Sequence, residues 1–156
     1  MILIYKGSKE YVTEDFTHSE LFSNSPDIGG TVHKFDERVI YALQAIRSHY
    51  NTKIRVLSTF RTQTHNTTIG GKPSSLHLYY RAIDWQFFGT GSKDAMKNFQ
   101  NDIQSRGEVF QILRKMGIAG FGLYKNFNHI DSRNESVVPV FNNKDEYGWY
   151  SYFDYR

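Results

Sequence analysis

His77 and Asp84 stand seven positions apart in "SSLHLYYRAID" (74–84), and His129 and Asp131 stand two apart in "FNHIDSR" (127–133). Neutral imidazole nitrogen and carboxylate oxygen are both good zinc ligands. Two His and one Asp would leave a fourth position open to water. A zinc ion so held acidifies that water and polarises a carbonyl, the basis of metal-assisted amide hydrolysis. Each spacing alone also has an ordinary reading, a histidine and an aspartate closing a loop. Residues at i and i+2 of a strand point to one face, so His129 and Asp131 are expected side by side. The chain has no cysteine, which excludes disulfides, thiolate zinc ligands and a cysteine nucleophile. Any metal must therefore sit on His, Asp or Glu. Of the six histidines, His18, His33 and His49 fall in a helix or its lead-in, where packing or surface roles are the default, and His65 joins the other two near turns and strand ends.

The elements that must position these residues are partly visible. "ILIY" (2–5) reads as a short strand, followed by a polar turn at 6–9. The stretch 15–30 is a loop-rich lead-in in which Thr17 or Ser19 could cap a short helix. "FDERVIYALQAIRSHYN" (35–51) is the clearest helix: Phe35, Val39, Ala42, Leu43 and Ile46 follow the i, i+3, i+4 pattern, with Asp36 and Glu37 in its first turn. "KIRVLSTF" (53–60) reads as a strand, 61–75 as a long polar loop, and "RAIDWQFF" (81–88) as a second strand. Residues 89–117 hold one or two helices, with Ser92 as N-cap and Gly117 as stop. "GIAGFGLY" (117–124) and "FNHIDSR" (127–133) look like paired strands around a tight turn. The expected class is α+β, one domain over 1–156, with a small antiparallel sheet and flanking helices. An aromatic tail, 134–156, would be an edge strand or a docked end.

A chain of 156 residues can bury a real core, and 39% hydrophobic against 22% charged residues is an ordinary globular balance. The formal charge of +3 comes from scattered Lys and Arg, with no stripe of the kind that tracks phosphates, so no nucleic-acid partner is expected. No run approaches the roughly 18 apolar residues of a membrane span. The N-terminus lacks the basic segment and cleavage site of a secretory signal, so synthesis in the cytoplasm is expected.

Taken together, the segments carry a family resemblance. "LSTFRTQTHNTTIGGKPSSLHLYYRAIDW" (57–85) and "GFGLYKNFNHIDSR" (120–133) resemble the D-Ala-D-Ala carboxypeptidase and L-Ala-D-Glu endopeptidase family of zinc peptidases, most closely its compact phage and prophage branch. The family pattern runs S-G-Y-R, then N and G-G, then S-x-H-x-x-G-x-A-x-D, then G-x-Y-x-x-F-x-H-x-D. Ser58, Arg61, Asn66, Gly70, Gly71, Ser75, His77, Ala82 and Asp84 match the first blocks, and Gly122, Tyr124, Phe127, His129 and Asp131 the last. The similarity spans about 15–133. It implies the hedgehog/DD-peptidase fold, zinc on His77, Asp84 and His129, and Arg61 gripping the substrate peptide. It also implies that Ser75 and Asp131 orient ligands or water; Asp131, sharing a strand face with His129, is also the leading candidate for general base.

Two departures bear on function. Tyr80 stands where the family has glycine, and it could narrow the cleft, shift the loop or point to solvent. Better-known members carry an acid or histidine just ahead of the last zinc histidine, where this chain has Asn126 and Asn128. Neither amide takes up a proton near neutral pH. The function implied is hydrolysis of peptidoglycan stem peptides, as carboxypeptidase or endopeptidase, at the cell wall after phage lysis or from a virion. The alternative is a non-catalytic virion structural or binding protein of the same fold.

Overall fold

Alternating apolar residues dictate the central strands, and the sheet they make separates a core face from a site face. In a computed structural model, which describes residues 1–133, β3 (Ile54–Ser58), β4 (Ala82–Phe87), β5 (Gly120–Leu123) and β6 (Asn128–Asp131) form an antiparallel sheet in the order β3-β4-β6-β5. The β4–β6 register pairs Ile83 with Ile130 and Trp85 with Asn128 on one face. On the other it pairs Asp84 with His129 and Ala82 with Asp131. Every apolar residue of the first set is fully buried.

The core lies behind that face. It is covered by α2 (Glu37–Tyr50), α4 (Ser92–Ser105) and α5 (Glu108–Lys115), which bring Ile40, Leu43, Phe99, Ile103 and Leu113 to it. Trp85 meets Phe99 and Phe87 edge-on, with ring centroids 5.0 and 5.1 Å apart. Full burial of such side chains contributes roughly 1.5–3 kcal/mol apiece, so this aromatic cluster anchors β4. The α+β class and the flanking helices agree with the sequence reading.

Beside the expected antiparallel sheet a second, two-stranded one forms. β1 (Ile2–Tyr5) pairs antiparallel with β2 (Val32–Phe35), from Ile2 opposite Phe35 to Tyr5 opposite Val32. Phe35 therefore ends a strand rather than starting the helix, and Asp36 is the N-cap of α2, accepting from the Arg38 N–H. Thr17, not Ser19, caps α1 (His18–Leu21) in a reciprocal capping box with Glu20. The polar stretch read as a loop contains α3 (Gln63–Thr68), capped by Thr62. Ser92 is the first residue of α4, whose cap is Gly91 at φ 80° with no side-chain bond. Residues 89–117 hold two helices, broken by Arg106 at φ 56°. The aromatic tail falls outside the described residues.

Candidate metal centre

Three segments bring the candidate ligands together. Residues 76–79, Leu76–Tyr79, form a single 3-10 turn that carries His77, while Asp84 and His129 are cross-strand partners on β4 and β6. Ser75 caps the turn: its hydroxyl accepts the His77 backbone N–H at 3.4 Å and so reaches the main chain, not the imidazole. The Arg61 N–H bonds the His77 carbonyl at 3.0 Å, and the Arg81 N–H bonds the Leu76 carbonyl at 3.2 Å, which ties the turn to both flanking segments.

The outer partners of each imidazole decide what faces inward. His77 Nδ1 lies 2.5 Å from the Thr59 carbonyl, an acceptor only, so Nδ1 carries the proton and Nε2 presents its lone pair. His129 Nε2 lies 2.9 Å from Asp131 Oδ2, so in the neutral ring Nδ1 is the inward lone pair. Those two nitrogens are 3.3 Å apart, and Asp84 Oδ1 sits 3.2 Å from the first and 2.7 Å from the second. Three acceptors converge on one point, which is stable only around a cation, whether a proton or a metal ion.

The donor set fits zinc. Ligands 2.0–2.1 Å from a tetrahedral ion are about 3.3 Å from one another, the spacing of both contacts made by His77 Nε2. The third contact, at 2.7 Å, would open by about half an ångström. Fixing a ligand's tautomer through its far nitrogen is the usual support for metal-bound histidine.

The charges are strongly coupled. Burial alone would push the Asp84 carboxyl up, but the imidazoles of His77 and His129 hold it well below the usual carboxylate range. Burial would likewise raise Asp131, which bonds from Arg133 and His129 pull far down instead. His77 is lowered, chiefly by burial. His129 is raised: burial opposes its charge, but Asp131 and Asp84 on either side prevail.

Around this cluster, Arg61 donates from Nε to Ser58 Oγ at 2.9 Å and from Nη2 to Asp84 Oδ2 at 2.5 Å. Its guanidinium thus braces the candidate ligand, and its side chain keeps 13% exposure, enough to offer further N–H donors to a substrate. Asp131 is fully buried, with Arg133 at 2.7 Å from both of its oxygens. Asn128 turns away from the cluster to bond Gln100 and Met96 on α4, and Asn126 is exposed on the β5–β6 turn.

Three contributors escaped the sequence reading. Thr59 acts through its carbonyl, which no side-chain pattern reveals. Arg133 sits two residues beyond Asp131, a spacing that could have flagged it. Gly120 faces Asp131 across the β5–β6 pair, and a Cβ there would come 2.1 Å from the carboxylate oxygen, so only glycine lets Asp131 lie over β5.

The pattern of the Peptidase M15 family matches residues 14–131, three quarters of the chain. The chain belongs to that family. M15 peptidases depend on zinc, and the His-Asp-His cluster is the group among the described residues that could hold it. No curated protein matched the chain.

Proposed function

We propose that this M15 peptidase hydrolyses peptide bonds of peptidoglycan stem peptides, with zinc on His77, Asp84 and His129. The observation that carries the reading is the convergence of three lone pairs whose outer partners, the Thr59 carbonyl and Asp131, fix both imidazole tautomers. When bound, zinc supplies a Lewis acid for the scissile carbonyl and acidifies water at neutral pH. Arg61 holds the ligand carboxylate in place and directs its remaining N–H groups at a substrate carbonyl or carboxylate. Of the two roles expected for Asp131, orienting His129 has the better support, since the carboxylate is buried and held by Arg133 and His129. A setting at the wall, after phage lysis or from a virion, suits this substrate and the compact phage and prophage branch that the motifs resemble. Carboxypeptidase and endopeptidase action both fit the cluster.

The test is to measure bound zinc by mass spectrometry, incubate the protein with purified peptidoglycan and identify the released fragments, with His77→Ala as control. The expected outcome is about one zinc per chain and cleavage that His77→Ala abolishes. Release no greater than the control's would sink the peptidase reading. A second reading, a metal-binding member without activity, is favoured by the orientation of Asn128 and the engagement of Asp131, which leave no free general base facing the cluster among the described residues. Zinc bound without cleavage would establish it.

A further inference from the structure

Both main-chain supports of His77 come from one short segment. The Thr59 carbonyl holds its Nδ1, and the Arg61 N–H bonds its carbonyl. Phe60 stands between the two, and its ring stacks on that of Tyr80, with centroids 3.9 Å apart and planes 3° from parallel. Tyr80 in turn closes the 3-10 turn that carries His77. The stack therefore joins, side chain to side chain, the same two segments that the His77 bonds join through the main chain.

The pair is itself held from outside the site sheet. His33 of β2 lies against both rings, 5.6 Å from Phe60 and 5.5 Å from Tyr80, and tilted from them by 27° and 26°. Its Nδ1 is 2.8 Å from the Tyr80 hydroxyl. The Asp36 N–H bonds the Tyr80 carbonyl at 3.0 Å, and Ser23 Oγ bonds the Phe60 carbonyl at 2.5 Å. The rings fill their space: the cavity they border with Phe22, Phe35 and Thr59 is about 10 Å³, no more than one water molecule needs. Tyr80 keeps a positive φ of 60°, a conformation that a residue with a side chain holds only where its surroundings impose it.

We propose that Phe60 and Tyr80 are positioning residues for His77. Their stack fixes the turn against Thr59, so that Nε2 already faces Asp84 and His129, and the β1–β2 sheet is its outer support. This rests on the reading of the His-Asp-His cluster as a zinc centre. Without the stack the turn is free to shift against Thr59, and ordering His77 then opposes metal binding.

The test measures zinc affinity by competition with a chromophoric chelator, and ligand geometry by the visible spectrum of the cobalt(II)-loaded protein. The proteins compared are wild type, Phe60→Leu, Tyr80→Leu, Tyr80→Phe and Ile103→Val. Tyr80→Phe keeps the stacked ring. Ile103→Val trims the core behind the sheet, so it weakens the fold without touching the turn. Circular dichroism confirms that all five are folded at the temperature used. Loss of a group that orients a metal ligand weakens binding by about ten- to a hundredfold, and a support one step further out is expected near the lower figure. Both leucine variants should thus raise the zinc Kd about tenfold and alter the cobalt bands. Tyr80→Phe and Ile103→Val should stay close to wild type. A wild-type Kd and spectrum in either leucine variant, or an equal loss in Tyr80→Phe or Ile103→Val, overturns the proposal. The two readings fail separately. Cleavage of peptidoglycan by a chain whose leucine variants bind zinc normally removes the brace and leaves the peptidase. Stack-dependent zinc binding without cleavage keeps the brace and removes the peptidase, and a wild type that takes up neither ion removes both.

Discussion

Tyr80 sits at φ 60° and ψ 34°, in the left-handed region. A side chain there costs about 1 kcal/mol, which glycine avoids. That is the physical reason for the glycine in the family pattern, and this chain compensates with packing. The Tyr80 ring stacks on Phe60 at 3.9 Å and 3°, and its hydroxyl lies 2.8 Å from His33 Nδ1. Since His33 Nε2 lies beside the Gly29 carbonyl, which only accepts, Nδ1 accepts and the tyrosine hydroxyl donates. The half-buried ring packs against Phe60 and against His33 and Phe35 of β2, rather than pointing to solvent. Tyr80→Phe should lose about 1 kcal/mol with the hydroxyl bond. Tyr80→Gly relieves the strain but forfeits the stack and its buried area, for a net loss of about 1–2 kcal/mol. Urea unfolding of both variants checks this, and a Tyr80→Gly protein as stable as wild type would show that the stack contributes nothing.

Among the elements, Asp36 joins α2 to the ends of the site strands. It caps the helix through the Arg38 N–H and accepts from Ser132 Oγ at 2.6 Å and from the Arg38 guanidinium at 2.6 Å. Burial would raise its pKa, but the bonds from Arg38 and Ser132 outweigh it, and the carboxyl is lowered. A lowered folded pKa means stability that is present above the unfolded value, about 3.9, and lost as pH falls toward the folded one. Asp36→Ala should therefore cost about 2–3 kcal/mol at pH 7, from the lost cap and the unpaired Ser132 hydroxyl. The gap to wild type should narrow below pH 4 in thermal melts recorded across pH; a gap of constant size would contradict the charge-based part of the argument.

The same scale shows why some elements were legible and others not. β4 and β6 place Ile83, Trp85 and Ile130 on one face and Asp84, His129 and Asp131 on the other, so alternation and motif agreed. β2 leaves Val32 and Lys34 exposed and buries only Phe35, so its pattern is too weak to read, and pairing with β1 makes it a strand. α3, "QTHNTT", has no apolar periodicity; the Thr62 cap holds it. The candidate ligands His77, Asp84 and His129 were legible as residues, and the fold brings them together. The tautomer control through the Thr59 carbonyl was not legible, because a main-chain atom leaves no mark in a sequence.

Across the whole molecule, the cluster fastens the loop before β4 to two adjacent strands. Zinc held by the folded chain alone, at a hundredfold over its Kd, adds about 2.7 kcal/mol. In a domain of this size that raises Tm by roughly 5–10 °C. Differential scanning fluorimetry with zinc and then with excess EDTA should show the rise and its reversal, and a Tm indifferent to both would place no stabilising metal here.

The register of β4 against β6 has a consequence in time. Asp84 and His129 are 45 positions apart, and only their docking as strand partners completes the candidate ligand set. Closing so long a loop comes late, after most local structure has formed. An ion that needs the finished register cannot hasten the search that leads to it, but it can hold the register shut. Zinc is thus expected to leave the refolding rate of this chain nearly unchanged and to lengthen the lifetime of its native state, so that the loaded protein resists proteolysis through slow opening.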